Sequence, residues 1–512
     1  MITRRSIATA VLCALSAGMA TAQPHYYGTK TPYQPQQAVA SYAAPPPGYR
    51  AVHTQMLARH GSRGLSSMKS DLALYRLWQQ AEQAHALTPL GARLGPDIAQ
   101  MMRANALLGY GVKGIRKPGY GNETQLGIRE HTQLAQRLRQ RLPDLFSSLQ
   151  QAPRQIVVLT SGKDRAVDSG YFFAQSLIAQ QPELAASVVY PPSLAPRAEQ
   201  DHSSRTAGTD RYLLYFHKLG APQDSVSDPA DPLYQTFQRS QSYQQWLKSP
   251  ELRAANAAVL AQPQLADAAQ AVLGLIFKPE FIAALGQGRY RAANDGSMRH
   301  TSNDGQFTVT LNGDGEEVIG SALDAALALY ELYAAAADMP DEVSADFSAY
   351  LPAPQAAVFA AAEDAIAFYS KGPGIAETDG INYRMAQTLL DDFFAEAEAI
   401  AAGQRGHAAK LRFAHAETVI PLAALLGIPG AASALPRGTP FSYASSAWRG
   451  EQVAPMAANI QWDLYAHADG RLLVRMLHNE RETDFKPACN SARIATGSHF
   501  YDYRLLAACY RH

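Results

Sequence analysis

Residues 59–63 read Arg-His-Gly-Ser-Arg and directly follow residues 52–58, whose sequence resembles a strand. Each arginine offers a planar fork of N–H donors that matches two oxygens of a phosphate at a time. A neutral imidazole between two such forks can attack phosphorus, because the cations neutralise oxygens that would otherwise repel it. Gly61 lets the backbone approach a ligand closely. The pattern indicates phosphoryl chemistry at His60, although alone it is also compatible with a basic surface cluster.

Two further polar groups follow segments that resemble strands. Residues 161–165 (Ser-Gly-Lys-Asp-Arg) come after the β-branched run 155–160, and residues 415–417 (His-Ala-Glu) come after the run 411–414. Ligands of open α/β sheets bind beyond the carboxyl ends of strands, so we expect all three groups to meet at one edge. Together they supply arginines for phosphoryl oxygens, two imidazoles and a carboxylic acid that can protonate a departing alcohol. Taken singly, each has an ordinary alternative, such as an arginine paired on its own helix or a core histidine.

The remaining patterns predict a sheet flanked by helices. The run 155–160 is typical of a strand buried on both faces. Alanine-rich patterns predict helices over 254–273, 321–337 and 354–369, and strand patterns return at 411–414 and 472–477. We therefore predict an α/β fold with a mostly helical insertion. The predicted divisions are an extended segment over 23–48, a discontinuous α/β catalytic domain over 49–195 and 371–512, and an α-helical insertion domain over 196–370.

Together, the three polar groups resemble the histidine phosphatase superfamily, in its acid phosphatase and phytase branch. That branch has Arg-His-Gly-x-Arg near the N-terminus, and the form His-Ala-Glu is most similar to the multiple inositol polyphosphate phosphatases. The resemblance covers about residues 28–509 and implies a sheet flanked by helices with a helical insertion. Supporting stretches lie at 28–33, 121–124, 371–374 and 381–383.

The resemblance also implies a role for each residue of the three groups. His60 would become transiently phosphorylated, and Glu417 would donate a proton and later activate water. The phosphate would be held by Arg59, Arg63, Arg165 and His415. In one place the chain departs from the pattern, because Leu65 stands where many acid phosphatases have proline. That difference affects the shape of the loop and leaves its charges intact.

Inositol hexakisphosphate (phytate) is the substrate that the resemblance favours, and so anionic a molecule needs additional cations. The lysines near the motifs are the candidates: Lys30, Lys69, Lys163 and Lys371. Two alternatives stay open, a broad acid or sugar-phosphate phosphatase and a non-catalytic protein that binds inositol phosphates.

Other histidine and carboxylate patterns carry weaker signals. His478-Asn479-Glu480 is a second His-x-acid, but it continues an extended run without a helix start behind it, so we predict a structural role. The sequence has no His-x-x-x-His or Cys-x-x-Cys pair and no Walker phosphate loop. Asp391-Asp392 lies in a helical pattern typical of a solvated face. We therefore predict neither a metal site nor a cofactor.

Composition and the N-terminus indicate an exported protein. Lys+Arg and Asp+Glu are equal at 45 each, which argues against nucleic acid as a partner. Residues 1–22 resemble a secretory signal peptide, with Arg4 and Arg5 before an apolar stretch and Ala20-Thr21-Ala22 at the cleavage site. That stretch is too short to span a membrane comfortably. We expect a periplasmic or secreted protein, and the sequence leaves its oligomeric state open.

After removal of the signal, the chain retains Cys489 and Cys509. In an oxidising compartment a pair of cysteines is more often bridged than free, so we predict a disulfide. Two buried thiols are the alternative.

Overall fold

The computed structural model describes residues 26–115, 117–192, 207–220 and 222–511, so the predicted signal peptide lies outside the described residues. Residues 26–49 contain two 3₁₀ turns, Gly28–Lys30 and Val39–Ser41. The strands are β1 (Arg50–Arg59), β2 (Gln155–Thr160), β3 (Val188–Val189), β4 (Ala292–Ala293), β5 (Ser297–Thr301), β6 (Thr308–Asn312), β7 (Val318–Ile319), β8 (His407–Ala414), β9 (Asn459–Ala466), β10 (Leu472–His478), β11 (Arg481–Thr483) and β12 (Phe500–Asp502).

Helices cover both faces of the main sheet. They are α1 (Ser70–Gln83), α2 (Gly91–Leu107), α3 (Gln125–Arg141), α4 (Pro143–Ser147), α5 (Asp164–Gln180), α6 (Arg211–Leu214), α7 (Tyr234–Leu247), α8 (Pro250–Leu260), α9 (Pro263–Ile276), α10 (Pro279–Gly286), α11 (Ala322–Ala337), α12 (Ala353–Lys371), α13 (Gln387–Ala401), α14 (Ala416–Leu426), α15 (Gly450–Val453) and α16 (Tyr503–Arg511).

One predicted helix is wrong in its extent. The pattern over 254–273 forms two helices, since α8 ends at Leu260 and α9 begins at Pro263. Proline has no N–H to donate and its ring clashes with the preceding turn, so it starts a helix more readily than it continues one. Because both segments are rich in alanine, the sequence pattern resembled one continuous helix.

The main sheet has eight strands in the order β11-β10-β9-β1-β8-β2-β3, with β12 paired to β10. Strands β1, β8, β2 and β3 are parallel, whereas β9 and β10 pair antiparallel. Arg59 at the end of β1 lies opposite Ala414, and Phe413 lies opposite Thr160 at the end of β2. The carboxyl ends of three neighbouring strands therefore lie level at one edge. The predicted α/β fold with flanking helices is confirmed.

Alternating side chains divide the core between the two faces of the sheet. Met56 and Ala58 of β1 belong to the cluster that α3 and α5 cover, whereas Leu57 belongs to the cluster on the other face. That second cluster includes buried residues of α9, α11, α12 and α14. Each face thus buries an apolar layer, which fixes the strands against both sets of helices.

Between β3 and α13 the described chain is mainly helical. It also contains two small two-stranded sheets, β4 with β7 and β5 with β6. Strand β6 overlaps residues 307–311, whose sequence, Phe-Thr-Val-Thr-Leu, is typical of a strand. The division of the chain into domains stays a prediction.

A disulfide joins Cys489 to Cys509 across 20 residues. Cys489 is fully buried and lies in the 3₁₀ turn Pro487–Ala492, while Cys509 belongs to the last helix, α16. The bridge therefore ties the C-terminal helix to the turn that follows β11. The alternative of two free thiols is wrong.

Replacing Cys489 and Cys509 together by alanine should lower the free energy of unfolding by about 3 kcal/mol, because the bridge removes loop entropy from the unfolded chain. Urea unfolding of the oxidised protein and the double variant measures the difference, and reductant should shift the parent protein but leave the variant unchanged. Equal unfolding curves for the oxidised protein and the variant would contradict the prediction.

Candidate active site

The loop after β1 is held by buried hydrogen bonds from the helices behind it. The Gly61 amide donates to Glu123 Oε1 at 3.1 Å, and the Ser62 amide donates to Glu130 Oε2 at 2.7 Å. A Cβ on Gly61 would lie 2.7 Å from Glu123 Oε1 and from the Cα of Gly127, so only glycine fits there. The loop conformation thus depends on the start of α3 and the turn before it.

His60, which is buried, has its proton placed by the backbone. Its Nδ1 lies 2.9 Å from the carbonyl oxygen of Gly61, which can only accept, so Nδ1 carries the hydrogen. The lone pair is then on Nε2. Burial and the guanidiniums of Arg165 and Arg59 hold the pKa of His60 well below its usual range. The imidazole is therefore neutral and has the electron pair that a nucleophile needs.

The three arginines of the sequence motifs come together around His60. Burial and Arg63 lower the pKa of Arg59 to about 10, and burial and Arg63 lower that of Arg165 to about 10. Burial also lowers the pKa of Arg63. These guanidiniums stay cationic at neutral pH but repel one another. An anion bound between them would relieve that repulsion.

Four buried N atoms of this cluster have no hydrogen-bond partner within the described part of the chain. They are Nε of Arg59, Nε of Arg63, Nε of Arg165 and Nδ1 of His415. Buried donors are nearly always paired, and unpaired ones are costly. Three charged donors and an imidazole nitrogen match a tetrahedral oxyanion, which accepts several hydrogen bonds at once. This set is the strongest sign of a phosphate site in the structure.

His415 occupies the N-cap position of α14. The Thr418 hydroxyl accepts a hydrogen bond from the His415 amide and donates one to the His415 carbonyl oxygen. Its ring centroid is 5.5 Å from that of His60, and its Nε2 lies 2.8 Å from Ser161 Oγ. Ser161 directly follows β2, so this contact joins two of the three strand ends. The N-terminus of α14 also directs its positive dipole end toward the cluster.

Glu417 lies in the first turn of α14, one third of its side chain is exposed, and it pairs with Lys371. The Lys371 Nζ donates to Glu417 Oε1 at 2.8 Å. Burial raises the pKa of Glu417, but Lys371 and His217 outweigh that effect and hold it well below its usual range. In this state the carboxylate is ionised.

Sequence reasoning missed two aromatic residues at the site. The ring of His217 lies 5.8 Å and that of Tyr215 lies 5.5 Å from His415. Burial lowers the pKa of His217 to about 3, so its imidazole is neutral. Both belong to the segment Tyr-Phe-His-Lys at 215–218. Its only signal was a histidine among aromatic residues, with no strand end or motif to single it out.

The lysine candidates occupy different surroundings. Lys371 contacts Glu417, and Lys163 lies 5.0 Å above the ring of Tyr215. The Nζ of Lys30 is 3.7 Å from Glu331, a residue whose charge also acts on Arg63. Lys69 is 2.7 Å from the exposed Glu316, on the rim formed by the segment after β6.

Leu65, His478 and Glu480 have structural roles. Leu65 is buried, and a Cβ on Gly64 would lie 2.7 Å from Leu108, so helix α2 shapes the end of this loop. His478 is buried, and its Nε2 lies 2.9 Å from the carbonyl oxygen of Val453, a structural contact. Glu480 forms the tight turn before β11 and accepts from Arg137 at 2.9 Å.

Metal-ligand chemistry has little support here. Within the described ranges, no group of three or more His, Cys, Asp or Glu side chains has the geometry to hold a metal ion. Asp392 pairs with Lys410 at 2.6 Å and with Arg412, so it serves as a structural carboxylate instead of part of a solvated face.

Comparison with known proteins places this geometry in a family. The family described as the histidine phosphatase superfamily (branch 2) matches residues 52–479. No curated protein sequence gives a significant match. The chain is similar to the multiple inositol polyphosphate phosphatase of Bifidobacterium longum in complex with inositol hexasulfate, at 32% identity and a TM-score of 0.81, over 95% of this chain and 97% of that one.

More distant structures share the fold alone. A phytase from D. castellii is 14% identical, with a TM-score of 0.57 over 95% of this chain and 84% of that one. The family match runs from β1 to the turn after β10 and therefore includes all three strand-end motifs. The sequence-based family prediction is thus confirmed, and the chain belongs to branch 2 of the histidine phosphatase superfamily, as a histidine-type phosphatase.

Proposed function

We propose that this protein is an exported phosphomonoesterase that hydrolyses inositol polyphosphates through a phosphohistidine intermediate. One observation carries the proposal: the unpaired buried donors of Arg59, Arg63, Arg165 and His415 surround the neutral imidazole of His60. Such a site binds a phosphoryl group and presents a nucleophile to it. It is also cationic enough to stabilise the charge of the transition state.

In the first step, His60 Nε2 forms a bond to phosphorus while the bond from phosphorus to the ester oxygen breaks. The electron pair of that bond stays on the oxygen, which takes a proton from the protonated form of Glu417. The hydrogen bond from His60 Nδ1 to the Gly61 carbonyl stabilises the positive charge that develops on the ring. The arginines hold the phosphoryl oxygens throughout.

In the second step, the Glu417 carboxylate accepts a proton from water as the water oxygen attacks phosphorus. The bond from His60 Nε2 to phosphorus then breaks, and inorganic phosphate leaves. Glu417 regains its proton in this step and the imidazole regains its lone pair, so the site is restored. All the groups required belong to the chain itself, and no cofactor takes part.

Two findings support inositol polyphosphates as the substrate class. The B. longum relative, 32% identical over nearly its whole length, binds inositol hexasulfate. Beyond the arginines, the Lys30, Lys163 and Lys371 side chains add positive charge near the pocket. A substrate with several phosphates would use such charges, whereas a simple monoester would gain little from them.

Export is supported by the disulfide, since such bonds persist in oxidising compartments. Within the described residues, no helix is both long and apolar enough to cross a membrane. Together with the signal-like residues 1–22, these features support a periplasmic or secreted enzyme.

The purified protein should release phosphate from phytate with a higher kcat/KM than from simple monoesters such as glycerol phosphate. His60→Ala should lose more than about 10³-fold in kcat, because the nucleophile has no substitute. The variant should still fold and bind inositol hexasulfate, which calorimetry measures. A protein that binds phytate but releases no phosphate would be a binding protein, and equal rates on all monoesters would indicate a broad acid phosphatase.

Glu417→Gln should slow alkyl phosphates by about 10²- to 10⁴-fold, because an alkoxide needs a proton to leave. It should slow 4-nitrophenyl phosphate far less in the first step, since nitrophenolate leaves without one. Burst kinetics on the two esters separate this step from hydrolysis of the intermediate. Equal losses in the rate of ester cleavage would rule out Glu417 as the proton donor.

The pH dependence follows from the two pKa shifts. The pKa of Glu417 lies below its usual range, so its acid form is lost as the pH rises through the acidic region. The pKa of His60 is also low, so the imidazole stays unprotonated in mild acid. For alkyl phosphates, kcat/KM should therefore be highest in acid and fall about tenfold per pH unit above the Glu417 pKa. A profile that rises toward alkaline pH would contradict this assignment.

A further inference from the structure

Lys371 differs from the other lysines of the site in what it contacts. Its Nζ makes a direct hydrogen bond of 2.8 Å to Glu417 Oε1, and only 20% of its side chain is exposed. Lys371 is the last residue of α12, whereas Glu417 lies in the first turn of α14. The chain thus brings together an ammonium and the acid of the reaction from 46 residues apart.

The remaining groups that act electrostatically on Glu417 come from several elements. They are His217 of the 3₁₀ turn 216–218, His415 of its own helix cap, Arg165 of α5, Arg59 and Arg63 of the loop after β1, and Tyr243 of α7. The arginines have a smaller net effect when they bind a phosphoryl group, because its negative charges offset part of theirs. The pKa values of both histidines are lowered, so both are neutral.

We propose that Lys371 is a positioning residue for Glu417: its ammonium holds the carboxylate that forms when the alcohol departs and aims it at the incoming water. This inference rests on the proposed function. It gives Lys371 a role that differs from the one expected from sequence, where it was a candidate to bind a substrate phosphate. Among the described residues, Lys371 is the cation in hydrogen-bond contact with this carboxylate.

The pairing has opposite effects on the two steps. A cation within hydrogen-bond distance favours the ionised acid, so it opposes proton donation and favours proton acceptance. Without Lys371, Glu417 would keep its proton to higher pH. The first step would then persist further into the neutral region, and the carboxylate would be both rarer and less firmly placed for the second step.

The test is the pH profile of kcat/KM for glycerol phosphate and 4-nitrophenyl phosphate in Lys371→Met and Lys371→Arg. With glycerol phosphate, kcat/KM should fall at high pH, and we call this fall the alkaline limb of the profile. In Lys371→Met the alkaline limb should move to higher pH by about 1 unit or more, the usual effect of removing an opposite charge at this distance. Lys371→Arg should keep the limb in place. Neither change should move the limb for 4-nitrophenyl phosphate, whose leaving group needs no proton. Ionisation of the substrate phosphate affects every variant equally, so it cancels when variants are compared on the same substrate.

A second arm separates positioning from substrate binding. In a Glu417→Gln background, adding Lys371→Met should shift nothing further, because the lysine would act through the carboxylate. Lys278→Met, a change at an exposed lysine on the helix cap before α10, is the control for loss of surface charge. Thermal unfolding and circular dichroism establish that each variant folds.

Each outcome has a separate meaning. An unmoved alkaline limb with a raised KM, present equally in the Glu417→Gln background, would show that Lys371 only binds substrate and would overturn the inference. Absence of phosphatase activity in the parent protein would instead refute the proposed function. A limb that shifts in Lys371→Met and returns in Lys371→Arg would support both.

Discussion

The level alignment of three parallel strand ends is the constraint on which the site depends. Hydrogen bonding of β1 with β8 and of β8 with β2 places Arg59, Ala414 and Thr160 at one edge. A side-chain cluster assembled from segments more than 350 residues apart thus inherits the precision of a sheet buried on both faces. The sheet fixes where the loop after β1 and helices α5 and α14 begin, so three guanidiniums that repel one another and two neutral imidazoles keep a defined spacing.

Two buried carboxyl groups next to the loop after β1, those of Glu130 and Asp338, act against this repulsion. Glu130 Oε2 accepts a hydrogen bond from the Ser62 amide, and the Ser62 hydroxyl oxygen lies 2.9 Å from both Glu130 Oε1 and Oδ1 of Asp338, the residue that follows α11. Burial raises the pKa of both carboxyls, while Arg59 acts in the opposite direction. The helical segment therefore contributes an acid to the floor of the site as well as bulk around it.

Local pattern was enough for the strands that end at the motifs, because residues 155–160 and 411–414 are largely apolar and a motif directly follows each run. Local pattern missed β9, which pairs with β1 on the side opposite β8. It identified His60, Arg165 and Glu417 without any knowledge of how the strands pair. It could not identify His217, which reaches His415 only through the packing of a short turn against α7 and the 3₁₀ turn Arg384–Ala386. Local pattern also could not show that Lys371 pairs with Glu417, because this contact depends on how the end of α12 packs against α14.

Contacts between the segment before β1 and residues 454–456 determine when the site can form. The Arg59 guanidinium donates to the carbonyl oxygens of Thr29 and Ala454, and the Met456 amide donates to the Thr31 carbonyl at 2.9 Å. Thr29 and Ala454, which are far apart in the sequence, thus bind the same arginine. A nascent chain that stops short of residue 454 lacks these contacts, and it also lacks strands β9 to β12 of the main sheet. Assembly of the phosphate pocket is therefore a late event, reached only when synthesis of the polypeptide is nearly complete.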